Sequence, residues 1–322
     1  MRVLIVKTSS MGDVLHTLPS LTDAQQQFPG IQFDWVVEEG FAQIPGWHSA
    51  VDRVIPVAIR RWRKAWFSGA IRAERKRFRD SLLAYQYDAV IDAQGLLKSA
   101  ALVTRHARGI KHGMDWKTAR EPLASLFYDK RHHIPKPMHA VERTRELFAQ
   151  SLGYRKPQAQ GDYAIARHFL TGADPAAAPY AIFLHATTRD DKHWPEAHWR
   201  ELISMLEGSG IHIKLPWGAP HEEARAKRLA DGFSHVEVLP RMSLEGIARE
   251  LAGAKYIISV DTGLSHLAAA LDRPNITLYG PTDPGLIGGY GKNQHACCSE
   301  SKNLQDLLPG KVLEQLKTLP GQ

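Results

Sequence analysis

The sequence predicts an α/β protein of two doubly wound halves that face each other across a cleft. Three observations carry this expectation. Short β-branched apolar runs alternate with helix-forming stretches along most of the 322 residues, the pattern of parallel sheets covered by helices on both faces. A segment rich in Gly, Pro, Ala and Gln, from Gly153 to Pro179, interrupts the alternation, which then starts afresh. The chain is long for one α/β domain and comfortable for two, each able to bury its own core. The expected division is 1–165 and 166–322.

In the first half, Arg2–Val6 reads as a strand and Asp13–Gln27 as a helix closed by Pro29-Gly30. Phe33–Val37 and Val51–Val57 are strand candidates, followed by a long basic helix over Ala65–Gln86. A strand over Asp88–Asp92 leads to a helix over Gly95–His106. From Met114 to Pro137 the pattern blurs, and a helix resumes over His139–Leu152. Within the linker only Tyr163–Ile165 looks strand-like. The second half reads as strand Tyr180–Leu184, helix Pro195–Glu207 with Pro in its first turn, and strand Ile211–Leu215. Helix His221–Asp231, strand Val236–Leu239, helix Ser243–Leu251, strand Tyr256–Val260, helix Leu264–Leu271 and strand Asn275–Tyr279 continue it. The tail ends in an amphipathic helix within Leu304–Leu319, with Pro309-Gly310 as an interruption.

Composition narrows the class. Hydrophobic residues make up 43% and charged residues 23%, ordinary values for a soluble globular protein. Lys and Arg exceed Asp and Glu by 41 to 34, a net charge of +7 that suits an anionic ligand, a membrane surface or nucleic acid without choosing among them. Cys297 and Cys298 are adjacent, poor geometry for a bridge, so a reduced, cytoplasmic protein is expected. No apolar run approaches the length of a membrane span. Val3–Val6 is too short for a signal-peptide core and runs straight into Lys7, so any membrane contact should be peripheral.

Four strand-to-helix loops of the second half hold groups suited to a nucleotide. Tyr256–Val260 ends in Asp261-Thr262-Gly263, with His266 in the first turn of the next helix. A helix start offers unpaired N–H groups to an anion, Gly263 allows close approach and Thr262 adds a hydroxyl. After Tyr180–Leu184 come Thr187, Thr188 and Lys192, hydroxyls and a full positive charge suited to a pyrophosphate. Glu222, after Ile211–Leu215, has the character of a ribose-binding carboxylate. Met242, in Pro240-Arg241-Met242-Ser243, sits where backbone could flank an adenine. Each has a plainer reading beside it: Asp261 as an N-cap, Thr187 and Thr188 as turn residues, Lys192 as a solvated lysine. Glu222 could simply be a first-turn carboxylate, Met242 core filler and His266 a capping or core side chain. Four loops at one sheet edge argue better than any one alone.

In the first half, Lys7-Thr8-Ser9-Ser10-Met11-Gly12-Asp13 follows the first strand. It matches neither phosphate-binding glycine fingerprint, but delivers a carboxylate to the cleft, either as a general base or as a helix N-cap. The densest charge run, Arg60-Arg61-Trp62-Arg63-Lys64-Ala65-Trp66-Phe67, continues into Arg72, Arg75, Lys76, Arg77 and Arg79. Such runs are usually solvated faces; interleaved aromatics suit an anionic, partly apolar partner at a membrane surface. Lys98, Arg120, His139 and Arg143 are further cations for the same site. No Asp-x-Asp occurs, and His132-His133 lack partners at ligand spacing, so no metal site is expected. No nucleic-acid motif accompanies the basic run.

Taken together, Lys7–Leu15, Arg60–Phe67, Asp92-Ala93-Gln94-Gly95, His185–Trp194, Leu215–Glu223, Val260–His266 and Tyr279-Gly280-Pro281-Thr282-Asp283-Pro284 resemble the bacterial lipopolysaccharide heptosyltransferases, GT-B-type enzymes of two Rossmann-like domains. Within them the likeness is closest to those adding the first inner-core heptose, and it runs to about Lys292. The resemblance implies inverting, metal-independent and cofactor-free transfer of heptose from ADP-L-glycero-β-D-manno-heptose to a Kdo sugar of Kdo2-lipid A. It implies an N-terminal acceptor domain and a C-terminal ADP-sugar domain, in a cytoplasmic protein peripheral on the inner membrane that binds no nucleic acid. Donor binding then falls to Thr187, Thr188, Lys192, Glu222, Met242, Asp261, Thr262, Gly263 and His266. Asp13 becomes the general base and Lys192 a stabiliser of departing ADP. Arg60, Arg61, Arg63, Lys64, Lys98, Arg120, His139 and Arg143 become acceptor-side cations. The rival readings are a heptosyltransferase acting later on the core and a non-catalytic anion-binding or nucleic-acid protein.

Overall fold

The computed structural model describes residues 1–170 and 177–320. It divides into two compact units, Met1–Ala164 and Ile165–Gln322. In the first, β1 (Arg2–Val6), β2 (Gln32–Glu38), β3 (Val51–Val57), β4 (Ala89–Asp92), β5 (Lys111–Met114) and β6 (Lys130–His132) form one sheet in the order β3-β2-β1-β4-β5-β6. All its pairings are parallel, with Arg2 of β1 opposite Gln32 and Val3 opposite Ala89. Val3–Val6 are completely buried, as a parallel strand covered on both faces should be. Beside the sheet the helix Met11–Gln27 packs on the helix Ala140–Leu152. A buried bidentate pair joins them: Arg145 donates from Nε to Asp23 Oδ2 at 2.7 Å and from Nη2 to Oδ1 at 3.2 Å.

The second unit repeats the plan. Its strands β7 (Tyr180–Leu184), β8 (His212–Leu215), β9 (Val236–Val238), β10 (Tyr256–Val260), β11 (Asn275–Tyr279) and β12 (Gln294–Cys298) lie in the order β12-β11-β10-β7-β8-β9, again all parallel. Its core holds Phe183, Trp194, Trp199 and Ile258, closed by Val312 and Leu316 of the last helix, Pro309–Lys317. In both units the first strand neighbours the fourth. Sheet growth reverses there, between β1 and β4 and between β7 and β10. In doubly wound sheets such a switch point opens a ligand crevice at the carboxyl ends of the strands.

Several expectations need correction. The first helix begins at Met11, two residues before Asp13. The long basic helix expected over Ala65–Gln86 spans only Gly69–Leu82, because Ser68 caps it by accepting from Ile71 N at 3.2 Å; a separate helical turn, Ile59–Trp62, precedes it. The helix expected over Gly95–His106 spans only Leu97–Leu102 and a 3₁₀ turn, Thr104–His106. The patternless stretch after Met114 contains β6, too short to show a period. Tyr163–Ile165 is no strand: Ala164 takes φ +56°, a left-handed conformation that breaks extended backbone. The strand β12, polar at the sheet edge, had no expectation attached to it. Pro309-Gly310 opens the last helix instead of interrupting it, since proline suits the first helical position. Residues 171–176 of the expected linker lie outside the described residues.

Candidate functional site

Because β7 and β10 are neighbours, the loops leaving their carboxyl ends meet. Their junction is the buried Asp261. Lys192 Nζ lies 2.6 Å from Asp261 Oδ2, and Thr282 Oγ1, from the loop after β11, donates to the same oxygen at 2.8 Å. Thr187 Oγ1 donates to the Asp261 carbonyl at 3.2 Å. One aspartate therefore ties three loops. The N-cap of the helix Gly263–Ala270 is Thr262, which displaces the reading of Asp261 as the cap. The first amides of that helix have no partner within it. The site thus presents an ammonium held in place by a carboxylate, beside a helix start with Gly263 at its first position and buried His266 in its first turn.

Glu222 has two roles open to its two oxygens. Its Oε2 accepts from Gly218 N at 2.7 Å and Ala219 N at 3.0 Å, closing the start of the helix Pro220–Ala230, while Oε1 makes no hydrogen bond to a described residue. Trp217 donates to Leu239 O at 2.6 Å, fastening the loop after β8 to that after β9. There Met242 is half-buried, next to Ser243, which caps the helix Leu244–Gly253. Thr188 is exposed. Beneath these loops buried His185 meets Pro216 O at 3.1 Å through Nε2; burial, reinforced by the nearby Arg225, pushes its imidazole down to about 4.

The first unit's switch point is braced in the same manner. Gln94, just after β4, accepts through Oε1 from Thr8 N at 2.9 Å and Ser9 N at 3.2 Å. Asp92 Oδ1 accepts from Gln94 N and Gly95 N at 2.9 and 3.0 Å, a turn for which Gly95 adopts φ +65°. Ser10, not Asp13, is the N-cap of the first helix. Asp13 is the third helical residue, and its Oδ2 accepts from Ser10 N at 3.1 Å, half of a capping box. Lys7 Nζ donates to Ala93 O at 2.9 Å. Burial lowers the pKa of Lys7; Asp13 and Asp92 oppose the shift, and Arg120 and Arg143 add to it. The charges of Asp13, Arg120 and Arg143 thus all act on one lysine.

The other cationic candidates fall into separate settings. Arg143 donates through Nη2 to Thr118 O at 2.8 Å, while its Nε is buried without a partner. His139 is the N-cap of Ala140–Leu152, its Nδ1 accepting from Val141 N at 3.1 Å. Lys98 has its pKa lowered by burial and then by Arg63 and Arg60, with Glu38 opposing, so these three cations form a second group. Arg61 differs: Glu39 at 3.0 Å and Glu74 at 2.7 Å already share its charge. Lys64 is exposed. Among the described residues no group of three or more His, Cys, Asp or Glu side chains is placed to hold a metal ion, and no helix is long and apolar enough to cross a membrane.

Lys7, Gln94 and Thr282 were not singled out from the sequence, although each belongs to a quoted segment. Their common signal is position, within a few residues of a buried strand's end. Spacing marks such loops but does not say which of their side chains tie them together.

Comparison with known proteins identifies the family and the fold. Residues 75–317 match the model of glycosyltransferase family 9 (heptosyltransferase). Lipopolysaccharide heptosyltransferase 1 of Escherichia coli K12 is 77% identical over 319 residues, 99% of this chain and 100% of that protein. The solved structure of the E. coli heptosyltransferase WaaC with ADP superposes with a TM-score of 0.97 at 76% identity, covering 98% of this chain and 99% of that one. The one with ADP-2-deoxy-2-fluoro heptose gives 0.94 at 74%, with the same coverage. The fold is of GT-B type, and the non-catalytic reading does not stand. A family model spanning residues 75–317 and a near-full-length relative place this chain in glycosyltransferase family 9, the heptosyltransferases.

Proposed function

We propose that the chain transfers L-glycero-D-manno-heptose from ADP-L-glycero-β-D-manno-heptose to a Kdo sugar of Kdo2-lipid A. The observation that carries this is the near-complete match, at 77% identity, to a lipopolysaccharide heptosyltransferase 1. The switch-point geometry supplies residues for each step. In this reading, domain 166–322 holds the donor: Lys192 and the start of Gly263–Ala270 receive the diphosphate, Glu222 Oε1 the ribose, and the Met242 loop the adenine. Asp261 acts as a positioning residue that orients Lys192. Domain 1–165 holds the acceptor: Arg120 and Arg143 near Asp13, with Arg60, Arg63 and Lys98 as a second group, take its carboxylates and phosphates.

The acceptor hydroxyl oxygen attacks the anomeric carbon, Asp13 takes its proton, and the bond from that carbon to the diphosphate oxygen breaks with inversion. The negative charge that collects on ADP meets Lys192 and the helix N–H groups, fixed positive groups that do a metal's work. In this reading the enzyme works at the cytoplasmic face of the inner membrane, which a lipid-borne acceptor and the basic, aromatic stretch Arg60–Phe67 support. The test is ADP release by the purified chain. Release that requires both ADP-heptose and Kdo2-lipid A supports the reading. Release only with an acceptor already carrying heptose would assign the chain to a later step.

A further inference from the structure

Part of the basic run, from Arg72 to Arg79, is not among the residues proposed above for the transfer. The helix Gly69–Leu82 and the turn Thr104–His106 border a half-enclosed groove of about 410 Å³. Its walls are apolar, including Ile59, Trp62, Trp66, Phe78, Leu102 and Val103, which belong to or pack on the core cluster above β3. Its rim carries Arg72, Arg75, Lys76, Arg79 and Arg105. Lys76 is paired with Asp80 at 2.8 Å. The four arginines have no carboxylate partner among the described residues; Arg75 stacks on Trp66, 3.5 Å from its centroid. His106, at the groove's edge, has its pKa lowered by burial and then by the positive charges of Arg105 and Arg79. Next to Trp66, Phe67 is 84% exposed.

An apolar slot ringed by unneutralised arginines is complementary to an amphiphile with an anionic head. We propose that this groove seats one acyl chain of an anionic membrane phospholipid, its phosphate gripped by Arg72, Arg79 and Arg105, and so docks the enzyme on the membrane. The proposal rests on the reading above that the acceptor is lipid-borne. A single chain binds only marginally, and a chain with a basic patch gives stable attachment. The groove and its rim supply both elements.

The test uses the full chain and two vesicle types, phosphatidylcholine alone and an equal mixture with phosphatidylglycerol. Co-sedimentation should occur with the mixture and be weak with phosphatidylcholine. Arg72→Ser with Arg79→Ser should weaken it roughly 25-fold at low salt, from about fivefold per cation lost near an anionic surface. Phosphatidylglycerol brominated in its acyl chains should quench tryptophan fluorescence, and Trp66→Phe should lose most of that quenching. ADP release from detergent-dispersed substrates should be unchanged in the double variant, which separates this proposal from the function itself. Equal binding to both vesicle types, or charge-dependent binding without quenching through Trp66, would overturn it.

Discussion

Replacing Lys192 by Met tests the arrangement around Asp261 in stability and in binding. The pair is nearly dry, with side chains 15% and 8% exposed. Two unit charges about 4 Å apart attract by about 4 kcal/mol at an effective dielectric near 20. Desolvating both ions offsets much of that gain. Truncating Lys192 removes the attraction but leaves the desolvation of Asp261, whose remaining side-chain donor is Thr282 at 2.8 Å. The expected loss is about 3 kcal/mol, at the lower end for breaking a buried pair because the lysine keeps some solvent. In a unit of this size that lowers the melting temperature by about 6–12 °C. Asp261→Asn should cost a comparable amount, and the double variant less than the sum, with a coupling of about 1–3 kcal/mol. ADP affinity, measured by calorimetry, should fall about 10- to 150-fold in Lys192→Met, the worth of one hydrogen bond to a charged group. Additive melting losses would refute the pairing, and unchanged ADP affinity would refute the phosphate contact.

Gln94→Ala removes the acceptor for Thr8 N and Ser9 N, so the loop leading to Asp13 should shift. Its kcat should drop at least tenfold while ADP affinity, measured separately, stays constant; an unchanged kcat would show that the brace does not position the loop. Acid should destabilise the protein through His185, whose folded pKa is about 4 against an unfolded value near 6.5. Between those values the unfolded chain binds a proton that the folded one does not, so stability is full above pH 6.5 and falls as pH drops towards 4. From pH 7 to 5 that is about 2 kcal/mol, and His185→Gln, which can still donate to Pro216 O, should show a correspondingly flatter dependence of melting temperature on pH. Activity should survive a chelator, because Lys192 and the helix start carry the charge work; loss in EDTA that magnesium restores would count against this.

The fold was legible wherever a strand is buried on both sides. β1, β7, β10 and β11 lie where their apolar runs place them, because such strands cannot tolerate interruption. The edge strands β6 and β12 left no such trace: the residues Lys130–His132 and Gln294–Cys298 are largely polar or partly exposed, and only pairing to a neighbour makes them strands. The loops at the switch points could be found from strand ends alone. The ties inside them could not, since Gln94 holding Thr8 and Thr282 holding Asp261 are contacts between residues distant in sequence. Arg61 and its neighbours looked alike as a run of cations, yet Glu39 and Glu74 occupy Arg61 alone of the four.

In the proposed transfer Asp13 takes the proton from the acceptor hydroxyl. Asp13→Asn tests it most directly, because an asparagine oxygen can still accept from Ser10 N as the carboxylate does at 3.1 Å. Only the base is lost, apart from a charge worth about 0.3–1 kcal/mol beside the helix start. With Asp13 as the base, kcat falls about 10²- to 10⁴-fold, with ADP affinity unchanged and the melting temperature within about 4 °C of the parent. A variant that folds, binds and turns over like the parent would contradict it and leave Asp13 as a capping residue.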